Sequence, residues 1–168
     1  MKRIAITGPE STGKSTLAQQ LATHFNTVWV PEFARDYIAD LNQPYTPEDL
    51  EKIAAGQLEL QQAAEKQQPE ILFTDTELLV IKVWSENAFG SCPAWILEKL
   101  ESQTFDLYLL MDVDLPWEPD PQREHPHLRN YFFQLYKTQL EQYGFPYQII
   151  SGTEQQRFQA ALRALQNV

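Results

Sequence analysis

A glycine-containing segment near the start of the chain restricts its possible folds more than any other feature. Residues 8–15 are Gly-Pro-Glu-Ser-Thr-Gly-Lys-Ser and match the phosphate-loop pattern G-x-x-x-x-G-K-[ST]. The apolar segment Lys2–Thr7 before the loop predicts a strand, and Thr16–Phe25 after it carries apolar residues at helical spacing. A glycine-rich turn beside a surface lysine is the alternative interpretation of the loop alone. The order of strand, loop and helix instead predicts a nucleotide-binding site.

The chemistry of phosphate binding assigns a role to each part of this loop. Glycines allow successive backbone N–H groups to face one side, and the N-terminus of the following helix adds partial positive charge. Lys14 supplies a charge for the β- and γ-phosphates, and the Ser15 hydroxyl is an expected Mg²⁺ ligand. We therefore expect ATP and Mg²⁺ as cofactors. The predicted nucleotide-binding residues of the loop are Gly8, Glu10, Ser11, Thr12, Gly13, Lys14, Ser15 and Thr16.

The size and composition of the chain limit the classes of protein to which it can belong. Its 168 residues, 43% of them hydrophobic, are enough for one buried core, so we expect a single P-loop domain over residues 1–168. The formal net charge of −10 argues against nucleic acid or an anionic membrane as the main partner, and any phosphate site must be a local basic pocket. A single cysteine, a short N-terminal apolar run and the lack of a long apolar stretch indicate a cytoplasmic protein.

Five apolar segments alternate with helical segments along the chain. The predicted strands are Lys2–Thr7, Thr27–Val30, Ile71–Asp75, Leu107–Met111 and Tyr147–Ile150. The predicted helices are Thr16–Phe25, Glu32–Leu41, Thr46 to about Gln68, Glu77 to about Phe89, Ala94–Leu100, Arg129 to about Tyr143, and one that follows a capping box at Thr153. This alternation predicts a three-layer α/β/α P-loop NTPase fold with a five-stranded parallel sheet, of the nucleoside and nucleotide kinase type. Ligands of such sheets bind at the carboxyl ends of the strands.

An acidic residue ends the third predicted strand. Asp75 follows four mostly apolar residues, and the carboxyl ends of parallel strands lie at one edge of the sheet. Asp75 is therefore predicted to hold Mg²⁺ together with Ser15. The alternative is that Asp75 caps the helix that begins near Thr76, a common position for aspartate. The two roles are compatible.

The segment after the second strand places a carboxylate and a guanidinium at the same edge. Glu32 can accept the proton of an attacking hydroxyl, and Arg35, one helical turn further on, can hold the acceptor or neutralise the transferring phosphoryl group. An exposed ion pair between Glu32 and Arg35 is the alternative. Asp36 is a second candidate for the base, and Gln57 is a candidate polar contact from the next helix.

A segment rich in proline and charge, residues 114–129, is the predicted lid of the site. It carries Arg123 and Arg129, and arginines on a segment that closes over a site stabilise the charge that develops in phosphoryl transfer. An ordinary exposed loop is the alternative. At the end of the fifth strand, Gly152 is predicted from position alone to lie near the adenine of a bound nucleotide.

The motifs that are missing favour a kinase over a signalling GTPase. The chain contains neither D-x-x-G nor N-K-x-D, the motifs of GTPase switches. A carboxylate after the second strand and a late arginine-bearing segment instead favour an ATP-dependent small-molecule kinase. The alternatives are a different nucleoside or nucleotide kinase, and a P-loop ATPase or regulatory nucleotide-binding module that acts on a partner protein.

Several motifs together resemble one family of P-loop proteins. Residues 8–17 (Gly-Pro-Glu-Ser-Thr-Gly-Lys-Ser-Thr-Leu), 31–37 (Pro-Glu-Phe-Ala-Arg-Asp-Tyr) and 74–76 (Thr-Asp-Thr) carry the likeness, with Trp84 and the lid positions Pro116, Trp117, Asp120 and Arg123. These segments resemble the ribosylnicotinamide kinase domain of NadR-type proteins and related stand-alone AAA-type ATPases, from residue 1 to about 165. The resemblance implies transfer of the ATP γ-phosphate to the 5′-hydroxyl of nicotinamide riboside. NadR-type proteins also carry DNA-binding and adenylyltransferase domains, to which the likeness does not extend, so we expect no role in transcription.

The resemblance also implies roles for individual residues. It supports a nucleotide and Mg²⁺ role for Lys14, Ser15 and Asp75, an acceptor role for Glu32 and Arg35, and a lid role for Arg123 and Arg129. Similar kinases have an aromatic residue immediately before the glutamate, which helps to sandwich the pyridine ring, whereas this chain has Pro31. The candidates to replace that aromatic residue are Phe33, Tyr37 and Trp84.

Overall fold

The computed structural model describes residues 1–168 and contains one five-stranded sheet. The strands are β1 (Lys2–Thr7), β2 (Trp29–Val30), β3 (Ile71–Asp75), β4 (Leu107–Met111) and β5 (Tyr147–Ile150). Their order is β2-β3-β1-β4-β5, and every neighbouring pair is parallel. The P-loop α/β/α fold class predicted from the sequence is confirmed.

Seven helices connect and cover the strands. They are α1 (Lys14–His24), α2 (Phe33–Asp40), α3 (Pro47–Glu65), α4 (Leu78–Phe89), α5 (Ala94–Ser102), α6 (Arg129–Tyr143) and α7 (Glu154–Leu165). Two helices begin at threonine caps. Thr153 forms the predicted capping box with Gln156, and Thr46 forms a capping box with Asp49 that was not predicted from the sequence. None of the helices combines the length and the apolar character needed to cross a membrane.

The second strand departs most from the sequence prediction. It was predicted over Thr27–Val30 but contains only Trp29–Val30. The Thr27 backbone N–H donates to the Ala22 carbonyl at 2.9 Å, and the Thr27 hydroxyl donates to the Ile71 carbonyl at 2.7 Å. The first bond closes the end of α1, and the second joins the Thr27 side chain to β3. Because the Thr27 N–H is used in this way, Thr27 does not join the ladder, and β2 is a short edge strand.

Both faces of the sheet are covered, as a parallel sheet requires. Successive side chains of a strand point to opposite faces. Ala5 and Tyr108 therefore belong to a core built with side chains of α2 to α6, whereas Ile4 and Ile6 belong to a second core built with α1 and α7. The two cores hold the carboxyl ends of the strands at one edge.

The strand order determines which residues meet at this carboxyl edge. β1 lies at the centre, where Ile6 pairs with Asp75 of β3 and Thr7 pairs with Leu110 of β4. The loop that leaves β1 therefore lies between the ends of β3 and β4. Because β2 lies on the far side of β3, the residues that follow β2 approach the same loop from the Asp75 side.

Candidate active site

The loop between β1 and α1 has a backbone conformation that its glycines make possible. Gly8 and Gly13 have φ angles of 131° and 81°, a range that favours glycine. A Cβ atom on Gly8 would lie 3.0 Å from the Met111 carbonyl oxygen, so the loop also needs glycine where it passes β4. The buried Thr12 hydroxyl donates to the Pro9 carbonyl at 2.8 Å. The predicted phosphate loop is thus a preformed turn at the N-terminus of α1.

Two polar side chains at the start of α1 turn back toward this loop and the end of β3. Lys14 Nζ donates to the carbonyl oxygens of Gly8 and Pro9, at 3.1 and 2.9 Å. Ser15 Oγ donates to Asp75 Oδ2 at 2.5 Å. The structure therefore brings the predicted ammonium, hydroxyl and carboxylate together at the loop.

Asp75 is a buried carboxylate whose pKa is raised. It is 1% exposed, and burial raises its pKa to about 6, a shift that Lys14 opposes and Glu32 increases. The prediction that Asp75 caps the next helix is wrong. Glu77 is the N-cap of α4, and its carboxylate accepts the Leu79 backbone N–H at 2.6 Å.

The oxygens of Ser15 and Asp75 fit a magnesium ion. Both are hard ligands, and their hydrogen bond places them side by side at the phosphate loop. Nowhere does the structure group three or more His, Cys, Asp or Glu side chains as a metal site. Two protein oxygens suit an ion that is otherwise held by phosphate oxygens and water, which is how Mg²⁺ binds beside phosphate loops.

The residues predicted to act on the acceptor lie at the start of α2. Glu32 is the N-cap residue of this helix, but its side chain makes no capping hydrogen bond, and it lines the cavity described below. Arg35 lines the same cavity and pairs with Asp120 of the lid at 2.8 Å. The ion pair between Glu32 and Arg35, which was the alternative interpretation, is not formed. Asp36 is exposed and lies outside the cavity, so the structure does not bring it to the site.

Gln57 has a structural contact instead of the predicted contact to a ligand. Its amide accepts the Phe33 backbone N–H at 2.8 Å and donates to the Pro31 carbonyl at 3.1 Å. The side chain is 2% exposed and does not line the cavity. Gln57 thus fixes the backbone on both sides of Glu32.

The segment predicted to be a lid, residues 114–129, contacts the phosphate loop near both of its ends, and we keep the name lid for it. The Glu118 backbone N–H donates to Ser11 Oγ at 2.9 Å, and the Arg129 guanidinium donates to the Ser11 carbonyl at 3.2 Å. Arg129 also lies over the ring of Trp117, 5.6 Å from its centroid. Arg123 donates to the Glu118 carbonyl. Both predicted lid arginines line the cavity.

A cavity of about 1060 Å³ joins the phosphate loop to a group of aromatic side chains. The Tyr45 ring packs edge-on against Trp84 and Phe89, with centroids 5.0 and 5.9 Å apart. All three side chains line the cavity. Of the three candidates to replace the missing aromatic residue, Trp84 lies in the cavity, whereas Phe33 and Tyr37 do not. We call Tyr45, Trp84 and Phe89 the aromatic wall.

Two lid residues contact the aromatic side of the cavity, and sequence reasoning missed them. The Tyr45 hydroxyl donates to Glu124 Oε2 at 3.0 Å, and the Asn87 amide nitrogen lies 3.3 Å from His125 Nε2. The partners are 79 and 38 positions apart in the chain. No local pattern marks such pairs, because they depend on where the lid lies in the folded protein.

Gly152, predicted to lie near the adenine of a bound nucleotide, lies outside the cavity. Its backbone N–H donates to Asp114 Oδ2 at 2.6 Å, and the residue does not line the cavity. The residues after β5 that do line the cavity are Glu154 and Arg157 of α7. Neither residue was predicted from the sequence to belong to the site.

Arg157 is the most connected side chain of the site. It is 2% exposed, and its guanidinium donates to the carbonyls of Thr12 and Asp112, both at 3.0 Å, and pairs with Asp114. Burial lowers its pKa, and the nearby Asp114 carboxylate opposes that shift. A signal was present in the sequence, because Arg157 stands one helical turn before Ala161 on the apolar face of α7. A charged residue in that position needs buried partners.

Comparison with known proteins gives a family match over most of the chain. A model of the AAA domain family matches residues 3–157. The trifunctional NAD biosynthesis/regulator protein NadR of Salmonella typhimurium strain LT2 is 30% identical over 126 residues, which cover 71% of this chain and 30% of that protein. NadR of Escherichia coli strain K12 gives the same values. The chain thus spans less than a third of the length of these relatives.

Solved structures share the fold. A crystal structure of a NadR protein in complex with NAD and AMP-PNP has a TM-score of 0.77 and 24% identity, covering 99% of this chain and 49% of that one. A complex of NadR with NR has a TM-score of 0.77 and 22% identity, covering 99% and 50%. A deoxyadenosine kinase from M. mycoides has a TM-score of 0.63 and 15% identity, covering 99% and 100%. The arrangement of strands and helices is therefore that of P-loop kinases.

Proposed function

The chain belongs to the AAA domain family, and on that premise we propose that it is an ATP-dependent phosphotransferase that acts on a hydroxyl group of a small ribosyl compound. The first candidate for the acceptor is nicotinamide riboside, which would give nicotinamide mononucleotide. One observation carries the proposal. A single cavity joins a phosphate loop to the aromatic wall and to Glu32, a carboxylate without a hydrogen-bonded partner at its helix N-terminus.

The triphosphate of ATP is proposed to bind at the phosphate loop. The preformed turn and the N-terminus of α1 favour anionic oxygens there. Lys14 already lies over the loop and needs only to exchange carbonyl partners for phosphate oxygens. Ser15 and Asp75 would hold Mg²⁺, which when bound neutralises phosphate charge and orients the γ-phosphoryl group.

Glu32 is proposed to accept the proton of the acceptor hydroxyl. Gln57 fixes the backbone before and after Glu32, so the carboxylate is presented to the cavity by a rigid turn. As the hydroxyl oxygen bonds to the γ-phosphorus and the bond to the leaving diphosphate breaks, the hydroxyl proton passes to Glu32. A carboxylate in that position contributes general-base catalysis.

The arginines from α2 and the lid are proposed to stabilise the transferring phosphoryl group. Arg123 and Arg129 donate to backbone carbonyls, so neither is neutralised by a carboxylate partner. Arg35 is joined to the lid through Asp120. Guanidinium groups around a phosphoryl group balance its negative charge, and a closed lid keeps water from competing with the acceptor.

The aromatic wall supports an acceptor with a flat ring. Tyr45, Trp84 and Phe89 line the cavity, and Glu124 adds a carboxylate beside Tyr45. A pyridinium ring would gain both stacking and cation–π attraction there. This chemistry, together with the relationship to NadR, supports nicotinamide riboside over an uncharged nucleoside.

A second candidate is a kinase for another nucleoside. The observation in its favour is Pro31, an exposed residue at the position where the resembling kinases carry a ring-stacking aromatic. Without that aromatic residue, one face of the acceptor ring lacks its expected neighbour. A different base would then fit the aromatic wall.

Product analysis tests the proposal and separates the two candidates. The purified chain is incubated with MgATP and, in turn, nicotinamide riboside, adenosine, guanosine, cytidine, uridine and thymidine, and monophosphates are measured by mass spectrometry. We expect nicotinamide mononucleotide as the main product, and no product from Lys14→Ala. A different monophosphate as main product would favour the second candidate. ATP hydrolysis with every acceptor left unphosphorylated would overturn both and favour an ATPase module.

A further inference from the structure

We propose that Glu10, an acidic residue inside the phosphate loop, is a positioning residue that fastens the lid over the acceptor side of the cavity and makes no contact with the nucleotide. A carboxylate inside a phosphate loop needs an explanation, because a bound triphosphate would repel its negative charge. Glu10 lines the cavity, and the hydrogen bonds of its carboxylate are to the lid and not to the backbone of the loop. The partners of that carboxylate explain its presence.

Glu10 holds two consecutive backbone amides of the lid. Glu10 Oε2 accepts the N–H groups of Glu124 and His125, both at 3.2 Å, and Oε1 accepts the Glu124 N–H at 3.3 Å. An ionised carboxylate that receives two backbone donors forms charge-assisted hydrogen bonds, which are stronger than neutral ones. The bonds join positions 114 and 115 residues apart, so they contribute to the position of the lid and not to local helix or turn structure.

The neighbouring loop residue faces the lid in the same way. Ser11 has a φ of 56°, and its Oγ accepts the Glu118 backbone N–H at 2.9 Å, while its carbonyl accepts Arg129. Two variable positions of the phosphate-loop pattern are therefore turned toward the lid. Their side chains leave the loop interior to backbone N–H groups, which are the groups that bind phosphate.

The two backbone amides bound by Glu10 belong to Glu124 and His125, whose side chains contact the aromatic side of the cavity, where the acceptor is proposed to bind. The Glu124 carboxylate accepts the Tyr45 hydroxyl, and His125 lies 3.3 Å from the Asn87 amide. A shift of residues 124 and 125 would therefore change the contacts that the lid makes with Tyr45 and Asn87. The consequence for the acceptor rests on the proposed function, whereas the attachment of the lid to Glu10 does not.

The inference predicts a separation between acceptor and nucleotide binding. Loss of the Glu10 carboxylate should free residues 124 and 125 of the lid, weaken the acceptor site and leave the phosphate loop intact. A hydrogen bond to a charged group is strong enough that its loss should change a local opening equilibrium about tenfold. A residue with only a general stabilising role would affect both ligands equally.

Hydrogen–deuterium exchange and kinetics test this with Glu10→Ala and Glu10→Gln, against Glu59→Gln as a control at an exposed position of α3. We expect the backbone amides of residues 124 and 125 to exchange about tenfold faster in Glu10→Ala and less so in Glu10→Gln, which keeps one acceptor oxygen. The affinity for AMP-PNP should equal that of the wild type, and the KM of the acceptor should rise about tenfold.

Two results would overturn the inference. One is unchanged exchange at residues 124 and 125 in both Glu10 variants. The other is a loss of AMP-PNP affinity as large as the loss of acceptor affinity. That result would mean that Glu10 contributes to nucleotide binding. If no riboside is phosphorylated even by the wild type, the proposed function fails, and the exchange at residues 124 and 125 together with AMP-PNP binding still decides whether Glu10 fastens the lid.

Discussion

Two buried carboxylates follow one another closely at the end of β3, and their surroundings give them different properties. Asp75 faces Lys14 and Ser15 of the phosphate loop. Glu77 is 1% exposed, accepts the Thr7 hydroxyl at 3.0 Å, and does not line the cavity. Burial raises the pKa of Glu77 to about 7, and its hydrogen bonds from the Leu79 amide and Thr7 oppose the shift. Glu77 thus joins β1 to the start of α4.

The raised pKa of Glu77 predicts a change in stability with pH. Its pKa in the fold is about 7 against an ordinary value of 4.5, so proton binding stabilises the fold below pH 4.5 and this contribution is lost as the pH rises through 7. Glu77→Gln is neutral at every pH and lacks that dependence. From pH 5 to pH 8, the free energy of unfolding of the variant relative to that of the wild type should therefore rise by up to about 3 kcal/mol.

Urea denaturation at the two pH values measures this difference. Glu70→Gln, at an exposed position before β3, is the control and should follow the wild type at both pH values. If Glu77→Gln and the wild type lose stability in parallel between pH 5 and pH 8, then Glu77 titrates normally and the account of its burial is wrong.

Glu32 is the residue on which the proposed chemistry depends. In Glu32→Gln the side chain keeps its shape but cannot take a proton, so kcat should fall about 10² to 10⁴-fold while the affinity for AMP-PNP is unchanged. Steady-state kinetics with the best acceptor measures the effect. Asp36→Asn removes a carboxylate from an exposed position of the same helix and should retain wild-type kcat. Equal rates for Glu32→Gln and the wild type would remove Glu32 from the role of base.

At the scale of elements, α7 contributes to the cavity although it follows the last strand. Its Arg157 donates to the Thr12 carbonyl of the phosphate loop, to Asp112 and Ile150 at the ends of β4 and β5, and to Asp114 at the start of the lid. One buried guanidinium thus joins the loop, two strands and the lid. The phosphate loop is therefore held from the α7 side as well as by β1 and α1.

Substitution of Arg157 should damage stability and nucleotide binding together. Arg157→Met leaves several carbonyls without their donor, and we expect a loss of about 2 to 4 kcal/mol in the free energy of unfolding. The affinity for AMP-PNP should fall in the fraction that remains folded, because the Thr12 carbonyl is no longer held. Arg163→Met, at an exposed position of the same helix, is the matched control for urea denaturation and calorimetry. Arg157→Met with wild-type stability and wild-type affinity would contradict this account of α7.

Local patterns in the sequence predicted the elements closely. The strands β1, β3, β4 and β5 have the predicted bounds, because each is a short apolar run between clear breakers. Thr153 caps α7 as its capping box indicates, and Thr46 caps α3 at the predicted helix start. The predicted β2 was too long, because the Thr27 N–H donates to the Ala22 carbonyl and the Thr27 hydroxyl donates to the Ile71 carbonyl. Competition of that kind depends on tertiary contacts and leaves no mark in the local sequence.

The candidate site was predictable where a motif or the end of a strand marks its residues. Lys14, Ser15 and Asp75 meet because the phosphate loop and the end of β3 share one edge of a parallel sheet. Tyr45 and His125 could not be found in this way, because their partners in the site lie in distant loops that only the folded lid brings near.

At the scale of the whole molecule, the cavity collects a large share of the positive charge of an acidic protein. The chain has a net charge of −10, yet five of its 13 lysines and arginines line one cavity. They are Lys14, Arg35, Arg123, Arg129 and Arg157. Five glutamates line the same cavity: Glu10, Glu32, Glu118, Glu124 and Glu154. The formal charges of the lining therefore balance, and the prediction of a basic pocket is wrong for the cavity as a whole, although its lining is less acidic than the chain.

The central claim is that the cavity transfers a phosphoryl group from ATP to a riboside hydroxyl. The most direct measurement uses ATP labelled with ¹⁸O in the γ-phosphoryl group, incubated with Mg²⁺, nicotinamide riboside and the purified chain, with mass spectrometry of all products. The account predicts that the γ-phosphoryl label is recovered in the riboside monophosphate, and that Lys14→Ala yields none. Label found only in inorganic phosphate, with this riboside and with the other nucleosides of the panel, would contradict it.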